Sequence, residues 1–514
     1  MTCTIIRMSL LTETERSFVD DVSQLAYCNP FLPERIEYER QALGVEFVET
    51  GEVWHVGSDP DGRNPNVPKL NVRVEAVAED LRAGLLTTRR VGKKEARLYR
   101  DFVIYLLYNR YEDLFKGVVE EGCSAERRIE FFGDFREDFA RFFELDGLTL
   151  QPESDATHLF ACFFQVRRAF KLIFRHIVGG STPAARLRAA VWQSIFTHDM
   201  RRYRRSLYEH MGDITTLVTG PTGTGKELVA RAVGMARYIP FDAETRRFAE
   251  DFEGSFYALN LSALSPTLIE SELFGHRRGA FTGALEDRPG WLEECPPLGT
   301  VFLDEIGEVE PAIQVKLLRV LQTRVFQRLG EAVDRKFQGK IIAATNRDLE
   351  TAMRAGRLRE DFYYRLCSDL VKTPSLDEQL ADSPDALHQL VCHLTQRIAG
   401  ADEATALAEE VENWIDHHLG RQYPWPGNVR ELEQCVRNVM IRGDYRPQAP
   451  AAAEDDLVQR LLEGTLSADE LLTRYVQLVY GQAGTYQEAA RRLGLDRRTV
   501  KARVAESKSE ESSR

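Results

Sequence analysis

The chain has 514 residues, a length that suggests about three domains with real cores. Its formal net charge of -13 excludes a generally basic nucleic-acid coat, so any DNA contact must be local. The eight cysteines are scattered, none in a CxxC pair or another metal-ligand spacing, which argues against a disulfide framework and for free thiols in a reducing cytoplasm.

From Met1 to about Arg100 short strand-like runs alternate with turns, and Gly57 to Pro68 reads as a loop. Asp59 and Asp61 within it are too few for a calcium site, so a solvated turn is the favoured reading. From Asp101 to Arg175 the spacing turns helical and aromatic: DFVIYLLYNRYEDLF, FFGDFREDFARFF and HLFACFFQVRRAFKLIF. Phe160, Phe163, Phe164, Phe170 and Phe174 recur near the helical period, as a packed core requires. His158, Cys162 and His176 invite a cofactor reading, but nothing in their spacing selects a metal or haem. The most apolar window, His158 to Val178, carries Arg167, Arg168, Lys171 and Arg175, too much charge to span a bilayer. No signal-peptide pattern opens the chain. The expectation is a soluble cytoplasmic protein with no membrane partner. Thr197 to Asp213 reads as a basic helix that leads straight into a strand at Ile214.

Ile214 to Thr219 is a β-branched run that predicts a buried strand. It breaks into Gly220, Gly223, Thr224 and Gly225 and resumes as a helix from Lys226, which makes a P-loop. Glycines let successive N–H groups form an anion nest, the helix N-terminus adds its dipole, and Lys226 reaches the β- and γ-phosphates. Glu227 stands where a Ser or Thr usually holds magnesium. FYALN, ending at Asn260, is a second strand, and GTVFLDE a third that delivers Asp304 and Glu305 at its C-terminal end, the ligand edge of an open α/β sheet. Asp304 suits magnesium and Glu305 suits polarising the attacking water. KIIAATN ends on Thr345 and Asn346 at the same edge, and DLVKT (Asp369 to Thr373) completes a five-stranded sheet.

Between the second and third strands lies ESELFGHRRGAFTGA (Glu270 to Ala284). With this loop and the P-loop, the stretch from about Asp213 to Arg442 resembles the AAA+ domain of bacterial enhancer-binding proteins, the activators of sigma-54 RNA polymerase. The resemblance implies that Gly279, Ala280, Phe281, Thr282, Gly283 and Ala284 form the loop that engages sigma-54. It makes Glu227 a family trait, although Pro221 and Thr222 replace the usual Glu and Ser. Asn260 matches the residue that restrains Glu305, Asn346 matches sensor I, and Arg430 in WPGNVREL matches sensor II. Arg359 and Arg365 in LREDFYYRL match the arginines supplied in trans to a neighbour's ATP. Two departures stand out: PSLDEQL (Pro374 to Leu380) lacks the family's arginines, and the segment from Tyr238 to Phe256 is longer than usual.

Arg446 to Asp456 is a Pro/Ala linker. Ser467 to Glu470 forms a capping box opening a helix with Leu471, Leu472, Tyr475, Val476 and Val479 on one side. Thr485 to Glu488 repeats the box before a short helix ending at Gly494, and Asp496 caps a third carrying Arg497, Arg498, Thr499, Lys501 and Arg503. This is a helix-turn-helix with the last helix as DNA reader, and it resembles the Fis-type domain of the same family.

The expected organisation is therefore multidomain. A mainly helical N-terminal regulatory domain of unknown type covers 1–190. An α/β AAA+ P-loop ATPase subdomain with a parallel sheet covers 191–374, and a helical lid 375–445. A linker, 446–465, precedes an all-α helix-turn-helix at 466–506 and a disordered tail at 507–514. The resemblance implies ATP and Mg2+ as cofactors, with sigma-54 RNA polymerase and upstream enhancer DNA as partners. It also implies self-assembly into a hexameric ring, with a lower oligomer when inactive. A repressor that keeps the fold without remodelling is disfavoured because GAFTGA, Asp304, Glu305 and both arginines are present. An AAA+ unfoldase or clamp loader has no need of GAFTGA or of the terminal helix-turn-helix.

Overall fold

The computed structural model describes residues 12–49, 64–87, 91–122, 126–145, 150, 155–251, 255–447, 467–483 and 485–511. It divides into two compact units, Met1–Gly443 and Asp444–Arg514.

The first unit begins with helices α1 (Glu13–Leu25), α2 (Glu34–Leu43), α3 (Asn66–Leu86) and α4 (Lys93–Glu120). Strand-like runs were expected here, and among the described residues there are none. The β-branched content of α3 disguises a helical stripe, since its buried Leu70, Val74, Ala78, Leu81 and Leu85 recur at three- and four-residue intervals. Residues 57–63 of the expected loop, with Asp59 and Asp61, lie outside the described residues, and the rest of that loop already enters α3. Helices α5 (Phe132–Phe143), α6 (Ala156–His176) and α7 (Thr182–Phe196) follow. Capping places the starts of α6 and α7: the Asp155 carboxylate accepts from the His158 N–H, and Ser181 accepts from the Ala184 N–H. The expected basic helix is split. Helix α8 (Met200–Arg205) ends early, and a 3-10 turn, Leu207–Glu209, completes the approach to the sheet.

The sheet has five parallel strands, β1 (Thr216–Thr219), β2 (Phe256–Asn260), β3 (Thr300–Asp304), β4 (Lys340–Thr345) and β5 (Asp369–Lys372), in the order β5-β1-β4-β3-β2. All five were legible: the three central strands, largely buried, read as short apolar runs, and the edge strands Phe256–Asn260 and Asp369–Lys372 keep apolar residues although much of each is accessible. The register pairs Thr219 with Thr345 and Lys372, and Asn260 with Asp304, so the polar strand ends line one edge. Helix α9 (Lys226–Met235) follows the P-loop. Helices Leu376–Asp382, Ala386–Ala399, Ala401–His418 and Asn428–Arg442 form the lid.

The expected boundary at residue 190 falls inside α7 and is not a break in packing. One buried cluster joins Ile173 of α6 and Val191, Trp192 and Ile195 of α7 to Val218 of β1, Val229 and Val233 of α9, and Val371 of β5. The long segment after Tyr238 proves to be a hairpin, Phe241–Asp242 paired with Arg247–Phe248. Its two phenylalanines insert into the N-terminal aromatic core. The Phe160 ring lies 4.7 Å from that of Phe241, and Phe164 stacks on Phe248 at 4.0 Å. The Ile129 N–H also donates to the Arg246 carbonyl at 2.8 Å. The hairpin is an ATPase element clasped by the N-terminal helices.

Among its described residues the second unit has the helices Ala468–Ala483, Tyr486–Leu493 and Arg497–Glu511, around Val476, Val479, Ala489, Val500 and Val504. Gly494 closes the middle helix in the left-handed conformation at φ 65°. Leu472 and Tyr475, expected with the core-facing side, are exposed. The backbone of the last helix runs to Glu511 through most of the segment expected to be disordered. Neither Gly nor Pro interrupts that run, and propagating a nucleated helix costs little. Residues 448–466, most of the expected linker, lie outside the described residues.

Candidate functional site

The P-loop, the β3 edge and the lid converge on one place. Lys226 is buried at the start of α9, and its ammonium donates to the carbonyls of Gly220 (3.0 Å) and Pro221 (3.1 Å). Burial pushes its pKa down, while Glu305 and Asp304 oppose that shift. A buried cation facing two acids suits a polyanionic phosphate chain. Asp304 is pushed above the usual carboxylate range by burial and by repulsion from Glu305. A divalent cation would relieve both penalties, so the residues present fit magnesium, with Asp304 as its holder.

Glu305 has a left-handed backbone, φ 56° and ψ 47°, a conformation that costs a non-glycine residue about 1 kcal/mol or more. Its N–H donates to Asp304 Oδ1 at 3.1 Å, and its carboxylate accepts from the Asn346 N–H at 3.4 Å. The strand end is thus bent so that the second acid turns toward the end of β4.

Asn346 also donates through Nδ2 to the Thr222 hydroxyl of the P-loop, at 2.8 Å. The lid closes the other side: Asn428 Nδ2 donates to the Thr222 carbonyl at 3.0 Å, and the Arg430 N–H to the Gly223 carbonyl at 3.3 Å. Gly223 has φ 80°, and a Cβ there would lie 2.1 Å from the Gly427 carbonyl oxygen, so only glycine allows this approach. Thr224 meets Thr373, hydroxyl to hydroxyl, at 2.7 Å. Sequence reasoning missed Asn428 and Thr373, because an Asn inside WPGNVREL and a Thr at a strand end carry no chemical signature by themselves.

Other expected residues sit differently. Asn260 lies beside Asp304 in register, and its side-chain oxygen accepts from the Ser262 N–H (3.0 Å) and hydroxyl (2.8 Å). Glu227 is paired with Arg231 one turn along α9 at 2.8 Å. Arg359 and Arg365 lie at the N-cap and in the last turn of the helix Glu360–Leu366, both exposed, with Arg359 held bidentate by Asp361.

The GAFTGA loop is a closed turn on a short hairpin, Gly275–His276 paired with Arg288–Pro289. The Gly279 N–H donates to the Ala284 carbonyl at 2.8 Å, and the Ala284 N–H to the Phe281 carbonyl at 3.0 Å. Gly279 and Gly283 have φ of 81° and 101°. Thr282 is exposed, whereas Phe281 is only half-exposed, its ring edge-on to His276 at 5.0 Å. Arg277 ties the loop's base to Asp287 and Glu331. Leu285 beside it and Val333 on the neighbouring loop add exposed apolar surface that the motif did not reveal.

In the second unit Arg497, Arg498, Thr499 and Lys501 are exposed on the last helix, and Asp496 caps it by accepting from the Arg498 N–H at 2.7 Å. Arg503 departs from the expectation: it is engaged with Asp469 and Thr473 of the first helix and serves packing. The second capping box is also only half formed. Thr485 accepts from the Glu488 N–H, but the Glu488 carboxylate is held by Arg491 and Arg492.

Elsewhere, both ring nitrogens of His158 are used within the protein, Nδ1 with the Tyr238 hydroxyl and Nε2 with the Arg204 carbonyl, each at 2.8 Å. His388, Cys392 and Glu412 on the lid have ligand atoms within 4.8 Å of one another. Among the described residues no helix is long and apolar enough to cross a membrane.

Comparison with known proteins identifies the family. The sigma-54 interaction domain matches residues 196–371. The transcriptional regulatory protein ZraR of Klebsiella oxytoca is 37% identical over 307 residues, 57% of this chain and 63% of that protein. The Nif-specific regulatory protein of Herbaspirillum seropedicae is 43% identical over 232 residues, 45% of this chain and 39% of that protein. The sigma54-dependent transcriptional regulator SfnR of Pseudomonas fluorescens is 40% identical over 267 residues, 49% of this chain and 67% of that protein. The chain spans less than two thirds of the first two. It carries the P-loop and the acidic strand end on one five-stranded sheet and the GAFTGA turn on a hairpin beside them, and it belongs to the family of sigma-54-dependent transcriptional regulators, the bacterial enhancer-binding proteins.

Proposed function

We propose that the protein is a sigma-54-dependent transcriptional activator that hydrolyses ATP with Mg2+ in a hexameric ring, assembled from a lower oligomer. It remodels the closed promoter complex of sigma-54 RNA polymerase from an upstream enhancer bound by the C-terminal unit. The observation that carries the reading is the pairing of a complete nucleotide edge with an exposed Thr282 turn on the same subdomain. Lys226 and the P-loop amides bind the phosphates, and Asp304 would hold a magnesium ion, which when bound would supply positive charge to the phosphates. Glu305 orients and deprotonates the attacking water, and Asn346 links the carboxylate to the P-loop. Arg430 contacts the nucleotide from the lid. Arg359 and Arg365 act on the neighbouring subunit's nucleotide, where an arginine finger is worth about 10³–10⁵ in rate. Asn260 beside Asp304 is a positioning residue for the acidic pair. Arg497, Arg498, Thr499 and Lys501 read the DNA; Arg503 holds the reading helix to its neighbour.

Two substitutions test the reading together. Glu305→Gln is expected to retain ATP binding in a filter assay while hydrolysis falls by about 10²–10⁴; undiminished turnover would remove Glu305 from the chemistry. Thr282→Ala is expected to keep ATPase activity within about twofold of the parent while abolishing open-complex formation with sigma-54 RNA polymerase. Full transcription from that variant would point to a different client.

A further inference from the structure

The lid helices Ala386–Ala399 and Ala401–His418 are joined through Gly400 alone and run back along each other. His388 and Glu412 stand equally far from Gly400 in the sequence, and the constant rise of a helix brings them level across the pair. Cys392 follows His388 by one helical turn and shares its face. Three donors of different kinds therefore meet on the outside of the lid. His388 Nδ1 lies 2.7 Å from Glu412 Oε1, and Cys392 Sγ lies 3.8 Å from the same nitrogen. One ligand atom from each residue falls within 4.8 Å of the others.

The spacing suits a single small ion. Ligands about 2.0–2.3 Å from a tetrahedral zinc stand about 3.3–3.6 Å apart. The sulfur is already close to that separation from Nδ1, and the carboxylate has only to recede as the ion replaces the hydrogen it shares with the imidazole. An imidazole, a thiol and a carboxylate make a borderline-soft set that favours Zn2+ over Mg2+, which asks for an octahedron of oxygens. In this they differ from the all-oxygen acidic pair at Asp304. The His388 side chain is 62% exposed and Glu412 30%, so the ion has a path in and water can take a fourth position. Burial, helped by the Glu412 charge, pushes the Cys392 thiol up. A bound cation offsets both effects: the thiol proton passes to solvent and the thiolate ligates. Cys392 has no cysteine near it in the sequence, and its third partner comes from the next helix, which is why spacing alone gave no sign of the set.

We propose that His388, Cys392 and Glu412 bind one Zn2+ ion, with water as the fourth ligand, and that the ion clasps the two lid helices together. The clasp is connected to the nucleotide edge. Arg397, on the helix of His388 and Cys392, pairs at 2.7 Å with Glu433 on the helix that carries Asn428 and Arg430. Zinc binding itself requires neither ATP nor sigma-54, so the site stands or falls apart from the promoter reading.

The test is optical titration of the reduced full chain with Co2+, a spectroscopic stand-in for zinc, in excess Mg2+. One tetrahedral ion per chain is expected, marked by a thiolate-to-cobalt charge-transfer band and displaced by an equivalent of Zn2+. Cys392→Ser should lose that band. His388→Gln and Glu412→Gln should each weaken Co2+ binding by about tenfold or more, since losing even a group that supports a ligand costs that much. Both side chains reach the surface, so the metal-free melting midpoints of these two variants should match the parent's, which separates lost ligation from lost folding. Absence of a thiolate band in the parent, a band that survives in Cys392→Ser, or parental affinity in His388→Gln would overturn the proposal.

Discussion

The nucleotide edge and the N-terminal aromatic core are built on opposite terms. At the edge, few side chains pack: Lys226, Asp304, Glu305, Asn346 and Thr222 are charged or polar, and one of them is held in a strained backbone. In the core, Phe160 meets Phe115, Phe131, Phe132, Phe135, Phe241 and Phe248, and these rings pack on one another at centroid distances of 4.7 to 6.3 Å. The edge gives up stability for chemistry, and the core supplies it. Two hairpin phenylalanines from the ATPase lie inside that core, so the two regions are expected to melt together even though they do different work.

Phe160→Ala presses hardest on this comparison. Emptying a fully buried ring site costs about 3–5 kcal/mol, and the shared hairpin spreads that loss to the ATPase. Scanning calorimetry of the ADP-bound chain should show the transition that releases nucleotide falling together with the helical one. A nucleotide-site transition left in place would mean that the regions are separate domains after all. Asn428→Ala acts from the other side. It strands the buried Leu376 N–H, which now donates to Asn428 Oδ1 at 2.8 Å, and places alanine at φ 53°. About 1–3 kcal/mol of stability should be lost in denaturant titrations, with a rise in KM for ATP because the lid loses its bond to Thr222. A stability loss with unchanged KM would reduce the lid contact to packing.

A third effect is confined to acid pH. Burial, reinforced by Arg175 and Arg231, pushes His176 down to about 4. Between about 6.5 and that value the unfolded chain carries a proton that the folded chain does not. The unfolded state therefore binds more protons, and stability falls as pH drops through the window. His176→Gln should flatten the dependence between about pH 6.5 and 4 and leave stability above pH 7 nearly unchanged. An equally steep acid limb in that variant would assign the sensitivity to other groups.

The contrast also explains what was legible from the sequence. P-loop glycines, an acidic pair after an apolar run and GAFTGA are improbable without their chemistry, so the sheet and most of its edge could be read directly. The helices of α1 to α3 could not, because valines and short turns in that stretch fit strand and helix patterns equally well. Tertiary assignments were hidden altogether. Nothing in Arg503 says that it will bond Asp469 rather than DNA, and nothing in Phe241 and Phe248 says that another region's rings will surround them.

The position of α7 has a practical consequence. It lies across the expected junction at residue 190 and, with α6, covers apolar side chains of α9, β1 and β5. A chain cut there would lay Val218, Val229, Val233 and Val371 open to water, at about 25 cal/mol for every Å² uncovered. Lost activity in such a fragment would report on a wet core, and gained activity on a loosened one. Control by the N-terminal helices is therefore to be dissected with point substitutions in the intact chain, because the packing of α6 and α7 on the sheet leaves no seam at residue 190.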